Sequence, residues 1–528
     1  MHSDCGVPYV GSRPRSNKSM KDGKQMSADP RINDGQSDIP TGEDVAPAGL
    51  RRNSMTWVGA ALLGAIIMSP ASGLYFNFTP TEATAGPVVP LIFLIAIVVT
   101  LPTALSYAAL SRSLPSAGSA YSWVRRAIGP NVGVFAGWIL NGFYLLAQIV
   151  LPGIGALFFN DILNQIGIPT GYFTWAIGVL VMTGIVAAIN YRGIDLSLKG
   201  TVIFMVLESV VVFALMLTIF VVQSGNGSFT GSDVVSTFTP SAATGGAAAI
   251  FAALVFGIQA NVGFDAVSTL AEETHTPRRY IPIATVVAVV AVGVYWVITA
   301  LGFVAAFPVQ QVVDVVANGG TPVSAMAHQF WGGTGQLLIS IVAFTSITAI
   351  FLAQNVASSR ALYAMGRQGT APAWLGRLKP GAQVPGNAMT LGLVVTVVVT
   401  LFLGAVLGTA SQYNWSATMS SSLALLTYLA VNIANIVYHL RSQGERFHVF
   451  MHGIVPVVGI VVVCFVIYKS YLGSLWDAGW TFGRSVQIAV VIWLLLGACW
   501  VLYVRRATPE VMRDRDVEED IDPEIARG

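Results

Sequence analysis

The chain has 528 residues, of which 54% are hydrophobic and only 10% charged, and its mean hydropathy is +0.68. Soluble domains carry about 25% charged residues, so a water-soluble globular enzyme is excluded and an all-α polytopic membrane protein, with the lipid bilayer as its surroundings, is expected. The formal net charge is +2, and no nucleic-acid partner is expected.

Residues 1–54 are rich in Ser, Gly, Asp, Pro and Lys and hold no apolar run. Such a segment cannot bury enough surface to offset the entropy of ordering, so a disordered tail is expected. It also lacks the apolar core near its start that a cleavable signal peptide needs. Runs of roughly 18 or more apolar residues then predict twelve spans within residues 55–506, near 56–78, 87–111, 132–159, 171–190, 201–223, 247–271, 281–306, 334–356, 388–409, 417–438, 451–472 and 484–504. Residues 507–528 form a second, short tail that is acidic from Asp514 onward.

The first span carries Met68, Ser69, Pro70, Ala71, Ser72 and Gly73 in succession. Pro70 removes a donor and disrupts the preceding turn, while Gly73 tolerates non-helical angles, so the helix is expected to break here. A mere kink or a close helix contact is the plainer alternative. The fifth span sets Glu208 within FMVLESVVVFAL. An ionisable group inside a span is expensive and usually kept for a task. Glu208 is therefore a candidate for proton exchange, with a permanently protonated carboxyl tying two helices as the alternative.

The sixth span and its sequel, Phe256 to Pro282, read FGIQANVGFDAVSTLAEETHTPRRYIP. Gly257, Gln259, Asn261, Gly263 and Asp265 fall within nine residues, and Asp265 is the only ionisable side chain between Ala247 and Ala271. An unpaired backbone group in hydrocarbon costs several kcal/mol, so non-helical backbone survives there only where it lines a protein cavity. A ligand or ion site at membrane depth follows. Asp265 can meet an ammonium, exchange a proton, or cap the second half-helix. Glu272 and Glu273, close to Arg278 and Arg279, read as a solvated charged face or as a gate in which those charges pair. His275, His328, His439, His448 and His452 lack ligand spacing. Cys5, Cys464 and Cys499 imply neither a disulfide framework nor a metal site.

Basic residues are retained on the cytoplasmic side during insertion. The even-numbered connections hold thirteen, from Arg112 to Arg446, whereas the odd-numbered ones have only Lys469 and Arg484 at bordering span ends. Both termini are expected in the cytosol.

Four stretches resemble, in order, the amino acid, polyamine and organocation transporter superfamily. GFDAVSTLAEETHTPRR (Gly263 to Arg279), followed by Ile281 and Pro282, resembles its sixth span and following loop. LPSAGSAYSWVRRAIGPNVGVFAGW (Leu114 to Trp138) resembles the connection from second to third span, SRALYAMGRQGTAP (Ser359 to Pro372) that from eighth to ninth, and ASGLY (Ala71 to Tyr75) lies where the family has a glycine-rich break. The resemblance covers roughly residues 56 to 390 and implies ten core helices in two inverted five-helix repeats, with two extra spans at the C-terminal end. It implies a substrate held between the broken first and sixth spans. Ser69-Pro70-Ala71 departs from the family's glycine-rich run, which changes the donors and the space near the substrate.

On that reading the amides of Ala71, Ser72 and Gly73 would cradle an α-carboxylate. The carbonyls of Met68 or Ser69 and of the Phe256 to Ala260 region would meet an ammonium. The substrate's side chain would point toward Gln259, Asn261 and Phe264, with Gly263 at the break. Some proton-coupled relatives have a lysine in the fifth span in place of a bound sodium ion, and Glu208 offers the same proton chemistry with inverted charge. Sodium is the rival, because Thr345 and Ser346 supply hydroxyls where sodium-coupled relatives place ion ligands, although such hydroxyls often bond to their own helix.

The expected function is a permease of the cytoplasmic (plasma) membrane that moves a small amino acid or related amine by alternating access, with a proton through Glu208 and with or without Asp265. A polyamine carrier and an amino acid exchanger are the alternatives within the class. A transport-inactive sensor would need a soluble output module, which neither tail is large enough to be, and a channel would need polar stripes along whole spans. No nucleophile, base and orienting residue converge as in an enzyme. No cofactor is expected beyond the transmembrane proton gradient.

Overall fold

The computed structural model describes residues 56–513 apart from 193, 318–320, 380–383, 443–446 and 473–480. The two expected tails lie outside the described residues, except for 507–513. The described residues hold no strand, and eleven helices are long and apolar enough to cross a membrane. The expected first span is the exception for a physical reason. Its apolar helix Trp57–Met68 stops after 12 residues at Ser69, and the chain continues through a short turn Pro70–Gly73, a wide turn Leu74–Phe78 and a helix Thr79–Ala85.

The third and eighth spans run longer than hydropathy suggested. The third, Pro130–Gln165, starts with Pro130 in its first turn, where the missing N–H costs nothing, and has 36 residues. At 1.5 Å per residue that is about 54 Å, well beyond a hydrocarbon core of about 30 Å. Its last turns therefore stand in the vestibule described below. The eighth, Pro322–Arg367, is bent at Gly332, whose φ of 72° lies in the left-handed region.

The third span has 72% of its apolar window buried in protein and the twelfth only 17%, so the former is central and the latter faces lipid. The first span packs on the sixth and seventh, the second (Val89–Ser113) on the seventh (Pro277–Ala306), and the third on the eighth. These pairings, one with six, two with seven and three with eight, are those of two related five-helix halves.

Candidate functional site

Ser69 ends the first half of span one with φ 51° and ψ 95°, outside helical space, and its N–H still donates to the carbonyls of Ala65 and Ile66. A serine in that region costs of order 1–3 kcal/mol, so the surroundings must hold it. One support is Trp296 on the seventh span, whose Nε1 donates to the Pro70 carbonyl at 2.9 Å. The indole also lies against Gly73, where an added Cβ would stand 2.6 Å from Nε1.

Span six breaks in the same membrane layer. Its first half, Gly246–Ala260, ends in a turn at Asn261, Val262 and Gly263, and a tight helix, Phe264–Leu270, follows. Gly263 has φ 121°, and a Cβ there would meet Ile67 of span one at 2.6 Å. Only glycine allows the two breaks to approach so closely.

Between the breaks lies a cavity of about 140 Å³, bounded by Ile67, Met68, Gly73, Phe76 and Asn77 of span one and by Gln259, Ala260, Val262 and Gly263 of span six. The third, eighth and tenth spans close it with residues that include Phe143, Gln354, Tyr413, Ser420 and Ser421. Drug-sized ligands occupy pockets of roughly 300–1,000 Å³, so this space suits a smaller solute. Among the described residues, no Asp, Glu, Lys, Arg or His lines it. Its polar groups are amides and hydroxyls.

The expected binding residues divide accordingly. Gly73, Gln259, Ala260 and Gly263 line the cavity. Ser69 is buried behind it, and its carbonyl accepts the Gly73 N–H at 3.0 Å. Asn261 is fully buried with Nδ2 donating to the Gly257 carbonyl at 2.9 Å, and Phe264 packs edge-on to Tyr107; neither reaches the cavity. The side chain of Ser72 lies outside what the structure describes. Of the three expected cradle amides, that of Gly73 is thus taken by Ser69, and that of Ala71 faces Glu208.

Glu208 is 2% exposed and sits behind span one, facing the Ala71 N–H and the Ser346 hydroxyl of the eighth span. Its Oε2 and the Ser346 Oγ complete no hydrogen bond of standard geometry. The structure thereby brings together two residues singled out separately in sequence, a carboxyl in the fifth span and a hydroxyl in the eighth, directly behind the broken backbone. Thr345 instead donates to the Val342 carbonyl at 2.9 Å.

Asp265 is fully buried and held from three sides. Its carboxyl accepts from Tyr144 and Tyr428, each at 2.7 Å, and from the Gly263 N–H at 3.2 Å. It clasps the third and tenth spans to the sixth and lies outside the cavity lining.

The cavity is shut toward the side of the basic connections. Glu273 pairs with Arg360, and Glu272 forms a two-pronged pair with Arg367 at 3.1 and 3.2 Å while accepting the Ala117 N–H at 3.1 Å. Ser119 bonds Ser268 at 2.5 Å and Tyr121 bonds Thr370 at 2.9 Å. The paired-gate alternative for the two glutamates fits, but with cations from the eighth span in place of Arg278 and Arg279. Toward the other side, the rings of Phe76 and Tyr413, 5.2 Å apart, separate the cavity from a vestibule of about 860 Å³. Sequence reasoning missed Tyr144, Tyr428, Gln354 and the roles of Arg360 and Arg367. The hydroxyl-rich run SATMSSS, Ser416 to Ser422, was the available signal for span ten.

The model of the family described as amino acid permease matches residues 57–504. The chain belongs to the amino acid permease family. This permease is 24% identical over 469 residues to the low-affinity putrescine importer PlaP of Escherichia coli (strain K12), covering 86% of the chain and 94% of that protein. It is 25% identical over 434 residues to the branched-chain amino acid permease BcaP of Lactococcus lactis subsp. cremoris (strain MG1363), covering 78% and 86%. With cationic amino acid transporter 1 of Arabidopsis thaliana it shares 24% identity over 457 residues, covering 84% and 70%. The chain is thus a multi-pass membrane transporter. The cavity here is closed on the side of the basic connections and topped by a vestibule on the other.

Proposed function

We propose that this permease carries a small neutral amino acid across the cytoplasmic membrane by alternating access, coupled to a proton through Glu208, with both termini in the cytosol. The observation that carries the substrate class is that no Asp, Glu, Lys, Arg or His lies in the cavity lining among the described residues. A zwitterion needs only dipoles at its two charged ends, and the amides and hydroxyls of the lining, those of Asn77, Gln259, Gln354, Tyr413, Ser420 and Ser421, supply them. A diamine would leave two ammonium groups without a carboxylate, an uncompensated cost in a desolvated site. Being named for putrescine or cationic amino acids, two of the relatives point the other way, but at 24% identity.

Proton coupling rests on the place of Glu208. A carboxyl behind the broken segment of span one, beside Ala71 and Ser346, can sense movement of that segment and change its protonation with it. Sodium is the second reading, because an ionised Glu208 with the Ser346 hydroxyl would offer oxygen donors to a hard cation. The test is uptake into proteoliposomes of a panel of radiolabelled neutral, acidic and basic amino acids and putrescine, under an inside-alkaline pH gradient or an inward sodium gradient. Preferential accumulation of neutral amino acids under the pH gradient supports the proposal. Accumulation of putrescine or lysine, or a requirement for sodium, contradicts it.

A further inference from the structure

We infer that the permease holds one acyl chain of an anionic phospholipid in an apolar pocket between its third, eighth, ninth and twelfth spans, in the leaflet on the side of the basic connections. The pocket measures about 270 Å³ and is walled by Trp138 and Leu145 of the third span, Leu362 of the eighth, Val395 of the ninth (Gly386–Leu407), and Trp493 and Trp500 of the twelfth (Thr481–Ala507). It shares no lining residue with the substrate cavity, although Leu145 and Ser358 lie within about one turn of the cavity residues Ala147 and Gln354.

Three observations favour a lipid chain. First, the pocket can open sideways. The ninth and twelfth spans each pack on the third but scarcely touch one another. The twelfth is held on the third by tryptophan rings seated on glycines: Trp493 fills the space over Gly142 and Trp138 that over Gly497.

Second, the wall is mostly rings and aliphatic chains, and three of its few polar groups bond within the protein, while Asn141 Oδ1 and Trp493 Nε1 are buried without a partner. Trp138 Nε1 donates to the Trp493 carbonyl at 2.9 Å, Trp500 Nε1 to the Thr370 carbonyl at 3.2 Å, and Asn141 Nδ2 to the Gly137 carbonyl at 2.8 Å. A space of this size lined by rings and aliphatic chains is poor for water and gains dispersion contacts when a hydrocarbon enters.

Third, the charge at its end suits an anionic headgroup. Arg377 follows the Trp374 and Leu375 wall directly, and Arg505 and Arg506 follow Trp500 by little more than one turn. All three are exposed and none has an ion-pair partner among the described residues. Basic clusters beside helix crevices select anionic headgroups, with about 1 kcal/mol per Lys or Arg near the surface. The same wall carries Met365 and Ala371, which flank Arg367 and Thr370 of the gate. A chain seated here therefore presses on the segment that closes the cavity.

The test uses full-length protein in phosphatidylcholine vesicles with a trace of phosphatidylglycerol bearing a photoactivatable diazirine near the end of one acyl chain. Cross-links should concentrate in 138–145, 391–395 and 493–500. They should exceed those from the matching phosphatidylcholine probe about fivefold, the ratio that about 1 kcal/mol gives. Leu391→Trp, which fills the pocket, should remove the cross-links in 138–145 and 493–500 while leaving lipid-facing labelling elsewhere. Should that variant fail to fold, wild-type protein still decides: unlabelled phosphatidylglycerol should compete the pocket labelling away and phosphatidylcholine should not. Even labelling over the lipid-facing surface, equal labelling by the two probes, or no competition would overturn the inference.

Discussion

Arg360 on the eighth span and Glu273 after the sixth form an ion pair in which both side chains are 2% exposed. Two charges so deeply buried must compensate each other. The pair joins the arm that follows the broken sixth span to the eighth span, which is helical beyond its bend at Gly332. It therefore fastens the closed side of the cavity, on the side of the basic connections.

Removing one partner should strand the other charge. Arg360→Met is expected to destabilise the closed form by about 3–5 kcal/mol, whereas Arg360→Met with Glu273→Met should recover most of that loss. Thermal unfolding of the purified variants reads this directly. A double variant no more stable than the single one would show that the pair is not the fastening.

Asp265 should behave as a clasp. Tyr428→Phe removes one hydroxyl donor to a buried carboxylate, a bond worth about 1.5–3 kcal/mol, and Asp265→Asn weakens all three contacts. Both variants should unfold at lower temperature, and both should keep whatever uptake remains responsive to a pH gradient. Loss of that response in Asp265→Asn with stability unchanged would move the coupling role to Asp265.

Gly73→Ala places a methyl against the Trp296 indole, at 2.6–2.8 Å from three ring atoms. Overpacking of this kind costs about 1–3 kcal/mol, and here it pushes away the ring that holds the Pro70 carbonyl. Uptake should fall at least about tenfold, the factor that about 1.4 kcal/mol gives. Trp296→Phe should lower it too by freeing that carbonyl. Wild-type uptake in Gly73→Ala would mean that the break does not need this seat.

Gln259→Glu puts a carboxylate into a lining that has none. Competition assays with the labelled neutral substrate should then show weaker inhibition by neutral amino acids and new inhibition by lysine or putrescine. An unchanged inhibitor ranking would show that Gln259 does not face the substrate.

Hydropathy made the spans legible because each reports only on its own run of residues, and the breaks at Ser69 to Gly73 and at Asn261 to Gly263 were legible for the same reason. Proline, glycine and polar side chains in a hydrocarbon setting carry a local signal. The partners were not legible. Tyr144 and Tyr428 lie 121 and 163 residues from Asp265, and nothing in either neighbourhood marks them for it. Likewise Arg278 and Arg279 are the nearest cations to Glu272 and Glu273 in sequence, yet the pairs form with Arg367 and Arg360, 95 and 87 residues away. Glu208 and Ser346 were each visible as a polar group in an apolar span, while their meeting behind Ala71 is a product of packing alone.

The most direct test of the account is proton movement with substrate. Proteoliposomes containing a trapped pH dye, with no imposed gradient and the membrane potential clamped, receive the neutral amino acid that the uptake panel identifies. The account predicts acidification of the lumen by wild-type protein as substrate enters, and none by Glu208→Gln even where that variant still binds or exchanges substrate. Substrate entry without acidification in the wild type, or equal acidification in Glu208→Gln, would contradict it.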